Sequence, residues 1–279
     1  MGSECVQNDI IGFESLDCLA EIRGQGFDTA LLASLFVEPA ERAQFSNTLI
    51  EQGEVFRYEI RMKTLTGRVI RTADTAFHHL DENGEPVIDG ALEDITRRRE
   101  LEEELAYQAR YDKLTDLANR RYCETLLQAE TERSDRYGQS LSVLMIDVDR
   151  FKRINDEHGH AEGDRVLAWI AGVLRNRVRQ TDVAGRWGGE EFMVLLPGTP
   201  TAQAHRLAEE LRRAVAEGRD GAHDPVTISV GYAGYAAGEK GERFLQRADR
   251  ALYAAKDAGR NAVVAAEPPE TDGPTTGAA

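Results

Sequence analysis

The stretch Leu141-Ser-Val-Leu-Met-Ile-Asp-Val148 constrains this chain more than any other. It contains no glycine or proline, and its apolar residues do not alternate with polar ones. It is far shorter than the ~20 residues of a membrane helix. A continuous apolar run of this length reads as a strand buried on both faces. Such a strand needs a layer of amphipathic elements on each side. Val166, Leu167, Ile170, Val173 and Leu174 mark one helix face, Leu207, Leu211, Ala214 and Val215 another, and Thr227 to Tyr232 reads as a further strand. Residues 112–264 are therefore expected to form an α/β domain.

Composition narrows the class. The chain has 279 residues, with 34 Lys and Arg against 49 Asp and Glu, a net charge of −15. Residues 1–95 hold 7 basic and 18 acidic side chains, and residues 96–279 hold 27 and 31. Neither part offers the clustered positive field that phosphate-backbone binding requires, so no nucleic-acid partner is expected. A small anionic ligand needs only a few placed cations and stays open. Neither a membrane segment nor a signal peptide is expected. Cys5, Cys18 and Cys123 lack CxxC spacing, which points away from a disulfide framework or a zinc site and toward a cytoplasmic location.

The remaining chain divides by composition. Phe56 to Met62, Val69 to Phe77 and Val87 to Leu92 are strand-like runs, joined by turns at Thr64-Leu-Thr-Gly67 and Asp81-Glu-Asn-Gly84. They predict an antiparallel meander within a first domain, residues 1–95. Residues 10–45 look helical with loops. Residues 96–111 form a linker expected to be helical to Arg110. Leu101, Leu105, Gln108 and Asp112 follow a 4-3-4 spacing, but only two are apolar, so a solvated helix competes with a coiled-coil seam. Residues 265–279 carry prolines and small polar residues without periodicity and are expected to be a disordered tail.

Asp147-Val-Asp149 closes the apolar strand with carboxylates that suit a divalent cation, although a solvated strand end explains that pair alone. Lys152, Asn155, His160 and Asp164 follow within one short loop-and-helix stretch. An amide and a carboxylate together match the edge of guanine. Farther on, Arg186-Trp-Gly-Gly-Glu-Glu-Phe192 places Gly188 and Gly189 at a predicted hairpin tip, where backbone can approach a ligand closely. Glu190 and Glu191 follow on opposite faces if the strand resumes at once. Oxygen donors of this kind suit Mg²⁺, which shares its coordination with substrate phosphates.

These segments resemble the GGDEF domains of the diguanylate cyclase family, in GGEEF form. The resemblance runs in order through Asp112-Lys-Leu-Thr-Asp-Leu-Ala-Asn-Arg-Arg121, Asp147 to Asp164, Gly188 to Phe192, Ser229-Val-Gly231 and Ala248 to Asn261. It implies a central, mainly antiparallel five-stranded sheet flanked by helices. It also implies condensation of two GTP into cyclic di-GMP with release of two pyrophosphates. On the matching positions, Asp147, the Val148 carbonyl and Glu190 resemble ligands of Mg²⁺ (or Mn²⁺), with Glu191 near the metal. Glu190 resembles the base for the attacking 3′-hydroxyl and Lys152 the cation facing the transition state. Asn155 and Asp164 resemble guanine readers, His160 a substrate contact, and Lys256 and Arg260 phosphate clamps.

A two-fold product built from one GTP per domain implies a homodimer. Arg179-Gln-Thr-Asp182 resembles the family's RxxD product-inhibition site, with Arg206 as a second contact. Residues 1–95, leading through Asp94-Ile-Thr96 into Arg-Arg-Arg-Glu, resemble a PAS sensor domain of unknown ligand. Gly12-Phe-Glu-Ser15 suggests that this domain is incomplete at its start. His78 and His79 fall in a strand, which argues against a haem site, and Cys18 lacks a photoreactive flavin context. A catalytically silent receptor for cyclic di-GMP or GTP is the alternative that the same motifs allow.

Overall fold

The computed structural model describes residues 20–22, 35–64, 66–80, 82–84, 86–218 and 225–268. The chain divides into two compact units, Met1–Leu105 and Ala106–Ala279. The expectations for Cys5, Cys18 and residues 12–15, and for 269–279 of the tail, lie outside the described residues. Among the described residues no helix is long and apolar enough to cross a membrane.

In the N-terminal unit, four strands pair antiparallel in the order β1 (Ala20–Ile22), β4 (Pro86–Asp94), β3 (Val69–Leu80) and β2 (Glu54–Lys63). The meander read from the sequence is thus β2–β3–β4, with β1 added at one edge. Helix α1 (Pro39–Gln52) opens with a proline at its first helical position, where the missing N–H costs no intrahelical bond. It packs Leu49 against Val55 and Ala76, while Ile60, Met62 and Ile70 form a second small cluster. Ile70, Thr72, Asp74 and Ala76 share one face of β3 by the two-residue period and are all buried. A carboxylate in that row breaks an otherwise ordinary core pattern.

Helix α2 (Thr96–Gln108) buries no residue within the single chain, which fits a solvated helix and a seam between two copies alike. Its start is anchored within the N-terminal unit. The Ile95 amide donates to the Arg71 carbonyl at 2.9 Å, and the Arg71 amide donates to Thr96 Oγ1 at 2.8 Å. Exposed ion pairs follow, Arg71–Glu103 at 2.9 Å and Arg99 with Glu59, where solvent screening leaves little net stabilisation. The helix ends two residues short of Arg110, and Tyr111 already bridges Ala118.

The C-terminal unit is a three-layer α/β/α sandwich. Its sheet runs β10 (Val263–Ala265), β9 (Ile228–Gly234), β6 (Leu141–Val148), β8 (Glu191–Pro197), β7 (Val183–Gly188), β5 (Ala118–Asn119). The longer strands pair antiparallel, whereas the two short edge strands pair parallel. Six strands replace the five expected, because two- and three-residue edges leave no periodicity to read. β6 lies between β8 and β9, and every one of its residues is buried. Leu141, Val143 and Met145 face α3 (Arg120–Tyr137) and α7 (Gly241–Asp257), whereas Leu144, Ile146 and Val148 face α5 (His160–Arg175) and α6 (Thr201–Glu217). Burying each such side chain contributes about 1.5–3 kcal/mol. α7 lies so close to β9 that a Cβ on Gly231 would sit 2.1 Å from the Leu252 backbone nitrogen.

The boundary of the tail is corrected. Ala265 belongs to β10 opposite Tyr232, and the Ala266 amide donates to the Tyr232 carbonyl at 2.7 Å, so ordered pairing passes residue 264. Cys123 is fully buried, and burial pushes its thiol up to about 12, which makes it an inert core residue.

Burial also pushes the Asp74 carboxyl up to about 7, opposed by a hydrogen bond from Thr72. Between the ordinary Asp value of ~3.9 and that raised value, the unfolded chain is ionised while the folded unit keeps its proton. Stability therefore falls as pH rises across this window, by on the order of 4 kcal/mol, and levels above it. In melts of the full chain, Asp74→Asn should gain stability relative to the parent at pH 8 compared with pH 4. Parallel pH dependences for the two proteins would contradict this.

Candidate active site

β6 leaves the core at Asp147, which is only 6% exposed. Its Oδ2 meets the Nζ of Lys256, the next-to-last residue of α7, at 2.7 Å. Burial raises the Asp147 carboxyl above its usual range. The Lys256 hydrogen bond and charge oppose this, Asp149 adds to it, and Arg260 opposes it again. The Val148 amide donates to the Glu190 carbonyl at 3.2 Å, which brings the β7–β8 turn to the end of β6. The Glu190 carboxyl is raised too, first by burial and then by the charge of Asp147, with Lys256 opposing and Glu191 adding. Asp147 and Glu190 thus repel each other across one small region that Lys256 partly neutralises.

The hairpin tip sits one residue later than the sequence suggests. Gly188 still belongs to β7, Gly189 and Glu190 form the turn, and Glu191 opens β8. A register shift between Arg186 and Gly188 causes the offset. A Cβ on Gly189 would meet nothing within 4 Å, and one on Gly188 would meet only Glu191 Oε2 at 3.5 Å. The protein's own side-chain packing therefore does not require these glycines. Arg186 donates from Nε and Nη2 to the Gly189 carbonyl at 3.1 and 2.8 Å. Its Nη1 reaches Asp112 Oδ1 at 3.2 Å, and Thr115 donates to that same carboxylate. Burial alone would raise the Asp112 carboxyl, but the Thr115 hydrogen bonds and Arg186 outweigh it and hold it below its usual value.

Asp149, the second acid of the DxD pair, faces protein donors. Its Oδ1 accepts from Ser229 Oγ at 2.6 Å, and its Oδ2 accepts from Thr227 Oγ1 at 2.7 Å and the Asn261 amide at 2.9 Å. That last bond holds a backbone turn in which Gly259, Arg260 and Asn261 all have positive φ, at 110°, 69° and 45°. Two consecutive non-glycine residues there store strain of about 1–3 kcal/mol each. Arg212 also holds Asn261, donating to its Oδ1 at 2.8 Å. Arg260, whose charge acts on Asp147, thus lies in a turn held by Asp149, the residue that follows β6.

Helix α4 (Phe151–His158) follows β6 directly, with exposed Lys152 in its first turn. Asn155 Oδ1 is buried without a hydrogen-bond partner among the described residues. A Cβ on Gly163 would lie 2.0 Å from it, so the glycine is what lets α5 pass beside this amide. His160 and Asp164 are exposed on the first turns of α5. Among the described residues, Lys152, His160 and Asp164 make no hydrogen bond or ion pair with Asp147 or Glu190, and chain connectivity alone relates them to the end of β6.

Arg179 and Asp182 share a turn. The Asp182 carboxylate accepts the Arg179 amide at 2.9 Å, and the Arg179 guanidinium stays exposed without an ion-pair partner among the described residues. Arg206 is exposed on α6. No group of three or more His, Cys, Asp or Glu side chains is close enough to hold a metal ion among the described residues. Around Asp147 and Glu190 a cation would need further oxygens from backbone or ligand.

Residues 109–262, more than half of the chain, match the family model described as diguanylate cyclase, GGDEF domain, and the chain belongs to that family. It is 42% identical over 175 residues to Diguanylate cyclase DgcM of Escherichia coli K12, covering 63% of this chain and 43% of that protein. It is 45% identical over 161 residues to Response regulator PleD of Caulobacter vibrioides, covering 55% and 35%. The chain thus spans less than half of these curated relatives. Among solved structures, the coiled coil and GGDEF domain of DgcB from Caulobacter crescentus, in complex with c-di-GMP, is similar at a TM-score of 0.59. That likeness has 33% identity and covers 62% of this chain and 93% of that one.

Sequence reasoning singled out neither the Asp112–Arg186 link nor the Asp149 network. Only the presence of both residues inside recognised motifs could have pointed to them. Asp149→Ala would leave two hydroxyls and one amide without their acceptor. It should destabilise the C-terminal unit by about 2–4 kcal/mol and speed hydrogen exchange at the Asn261 amide. A stability loss under about 0.5 kcal/mol with unchanged exchange would refute the assigned role.

Proposed function

We propose that this protein is a diguanylate cyclase that condenses two GTP into cyclic di-GMP, working as a homodimer with one GTP held by each GGDEF domain. The observation that carries the proposal is the pair of elevated carboxyls, Asp147 and Glu190, with Lys256 as their cation. Phosphoryl transfer asks mainly for positioning and for charge at the phosphates. In each half-reaction, the 3′-oxygen of one nucleotide bonds to the α-phosphorus of the other, and the α–β bridging P–O bond breaks to release pyrophosphate. Two such transfers close the ring. Holding the two nucleotides face to face supplies proximity that free collision lacks.

Glu190 takes the proton of the attacking hydroxyl, and a carboxyl raised above its usual range is a stronger base for that task. Lys152, Lys256 and Arg260 offset the phosphate charge. Asn155, whose buried oxygen lacks a partner, and Asp164 read the guanine edge, while His160 touches the substrate. Gly188 and Gly189 let the nucleotide approach the turn. Mg²⁺, or Mn²⁺, suits the hard oxygen donors of Asp147, Glu190, Glu191 and the Val148 carbonyl; bound there, it would supply Lewis-acid charge to the phosphates. The close approach of Lys256 Nζ to Asp147 supports that fit, because the site already draws a cation.

Arg179 and Asp182 form the product-feedback site, with Arg206 as a further contact. The free guanidinium of Arg179 supports this reading, since a paired one would not be available. The N-terminal unit, a PAS-like sensor, regulates the cyclase through α2.

Incubation with GTP and Mg²⁺, followed by mass identification of products, tests the activity. Glu190→Gln should lower turnover at least ~100-fold with an unchanged melting temperature. Full activity in that variant, or no cyclic di-GMP from the parent, would overturn the proposal. Arg179→Ala should leave the initial rate intact and raise the product yield at long times. Identical progress curves and unchanged cyclic di-GMP affinity would remove the feedback site.

A further inference from the structure

The turn that follows α7 puts Arg260 in the left-handed region, at φ 69°, between Gly259 and Asn261. Asparagine tolerates that region because its short polar side chain can bond locally; arginine has no such compensation. A conformation of this kind persists only where its surroundings over-determine it, and it concentrates at functional sites. Core packing does not supply the constraint, since Arg260 and Asn261 are both exposed. Hydrogen bonds from three separate elements do.

The Arg260 amide donates to the Ala255 carbonyl of α7 at 3.2 Å, and the Asn261 amide donates to Asp149 Oδ2 at 2.9 Å. These two bonds fix where the backbone passes. The third anchor grips a side chain: Arg212 Nη1, on α6, donates to Asn261 Oδ1 at 2.8 Å. Arg212 is itself preset. Its Nε and Nη2 donate to Glu209 Oε2, three residues earlier on the same helix, at 3.1 and 3.0 Å. With that edge of the planar fork engaged, Nη1 is left aimed at Asn261. A partly exposed cluster of this kind adds little to global stability. What it restrains is the residue next to Asn261, whose charge acts on Asp147.

We propose that Arg212, oriented by Glu209, is a positioning residue of the cyclase, which grips Asn261 and so holds Arg260 toward the phosphates of the bound nucleotide. The inference rests on the cyclase reading of the Asp147 and Glu190 region, and it brings α6 into that site. A cation that meets the phosphates equally before and during transfer contributes uniform binding, so losing its support raises KM and leaves kcat in place.

The test uses the full chain, with steady-state rates on GTP and Mg²⁺ and calorimetric affinity for a non-hydrolysable GTP analogue. Arg212→Met should raise KM and weaken the analogue on the order of tenfold, with kcat within about twofold and an unchanged Tm. Asn261→Gly, which tolerates positive φ but removes the acceptor, should do the same. The double variant should be no worse than either single one, because both remove one bond. Unchanged KM and affinity in Arg212→Met, or a loss confined to kcat, overturns the proposal. So do additive losses in the double variant, the result if the Arg212 charge acts on the phosphates directly. If Asn261→Gly does not fold, hydrogen exchange at the Arg260 amide decides in its place: it should be faster in Arg212→Met than in the parent, and equal rates overturn the proposal. A parent that binds the analogue without making cyclic di-GMP overturns the cyclase reading, while the affinities still decide the role of Arg212. A parent that binds no analogue overturns both.

Discussion

The contact between Lys256 and Asp147 sits where two opposing demands meet. A strand buried on both faces must end in a carboxylate for the site to exist, and a carboxylate so close to the core loses hydration. Lys256 supplies the compensating charge from α7, on the same face of the sheet that packs Leu141, Val143 and Met145. Removing that cation would leave a desolvated charge facing Glu190, the costliest kind of change to a buried pair. The same loss of hydration keeps both carboxyls elevated, with Lys256 opposing the rise in each.

Two secondary ties convert this into a defined geometry. Arg186 fastens the Gly189 carbonyl to Asp112, so the turn carrying Glu190 is held by the segment that begins the C-terminal domain. Asp149 fastens the strained turn at Gly259–Asn261, so Arg260 is held by the residue that directly follows the strand carrying Asp147. Both ties are ordinary hydrogen bonds, individually worth about 0.5–1.5 kcal/mol, or 1.5–3 kcal/mol where a charge is involved. Their effect is positional: each joins elements far apart in the chain to the end of β6.

What the sequence reveals follows from how local the cause is. β6 was readable because its burial leaves no polar interruption before Asp147. Helix α2 was readable because its residues are good helix formers and include no glycine or proline. The one-residue displacement of the turn at Gly189 was not, since a bulge between Arg186 and Gly188 leaves no mark on composition. Nor were β5 and β10, which are too short for any period. Asp149 looked like a partner of Asp147 in metal binding, yet its donors Thr227, Ser229 and Asn261 lie about 80 to 110 residues away. Asp74 passed unnoticed within an alternating strand, because only packing shows that its face is the buried one.

The most direct test is a crystal structure of the full chain with a non-hydrolysable GTP analogue and Mn²⁺, located by its anomalous signal. The account predicts the metal within about 2.0–2.6 Å of oxygens from Asp147 and Glu190. It also predicts Lys256 withdrawn from Asp147 onto the triphosphate. A nucleotide and metal bound elsewhere, with the Lys256–Asp147 contact intact, would contradict it.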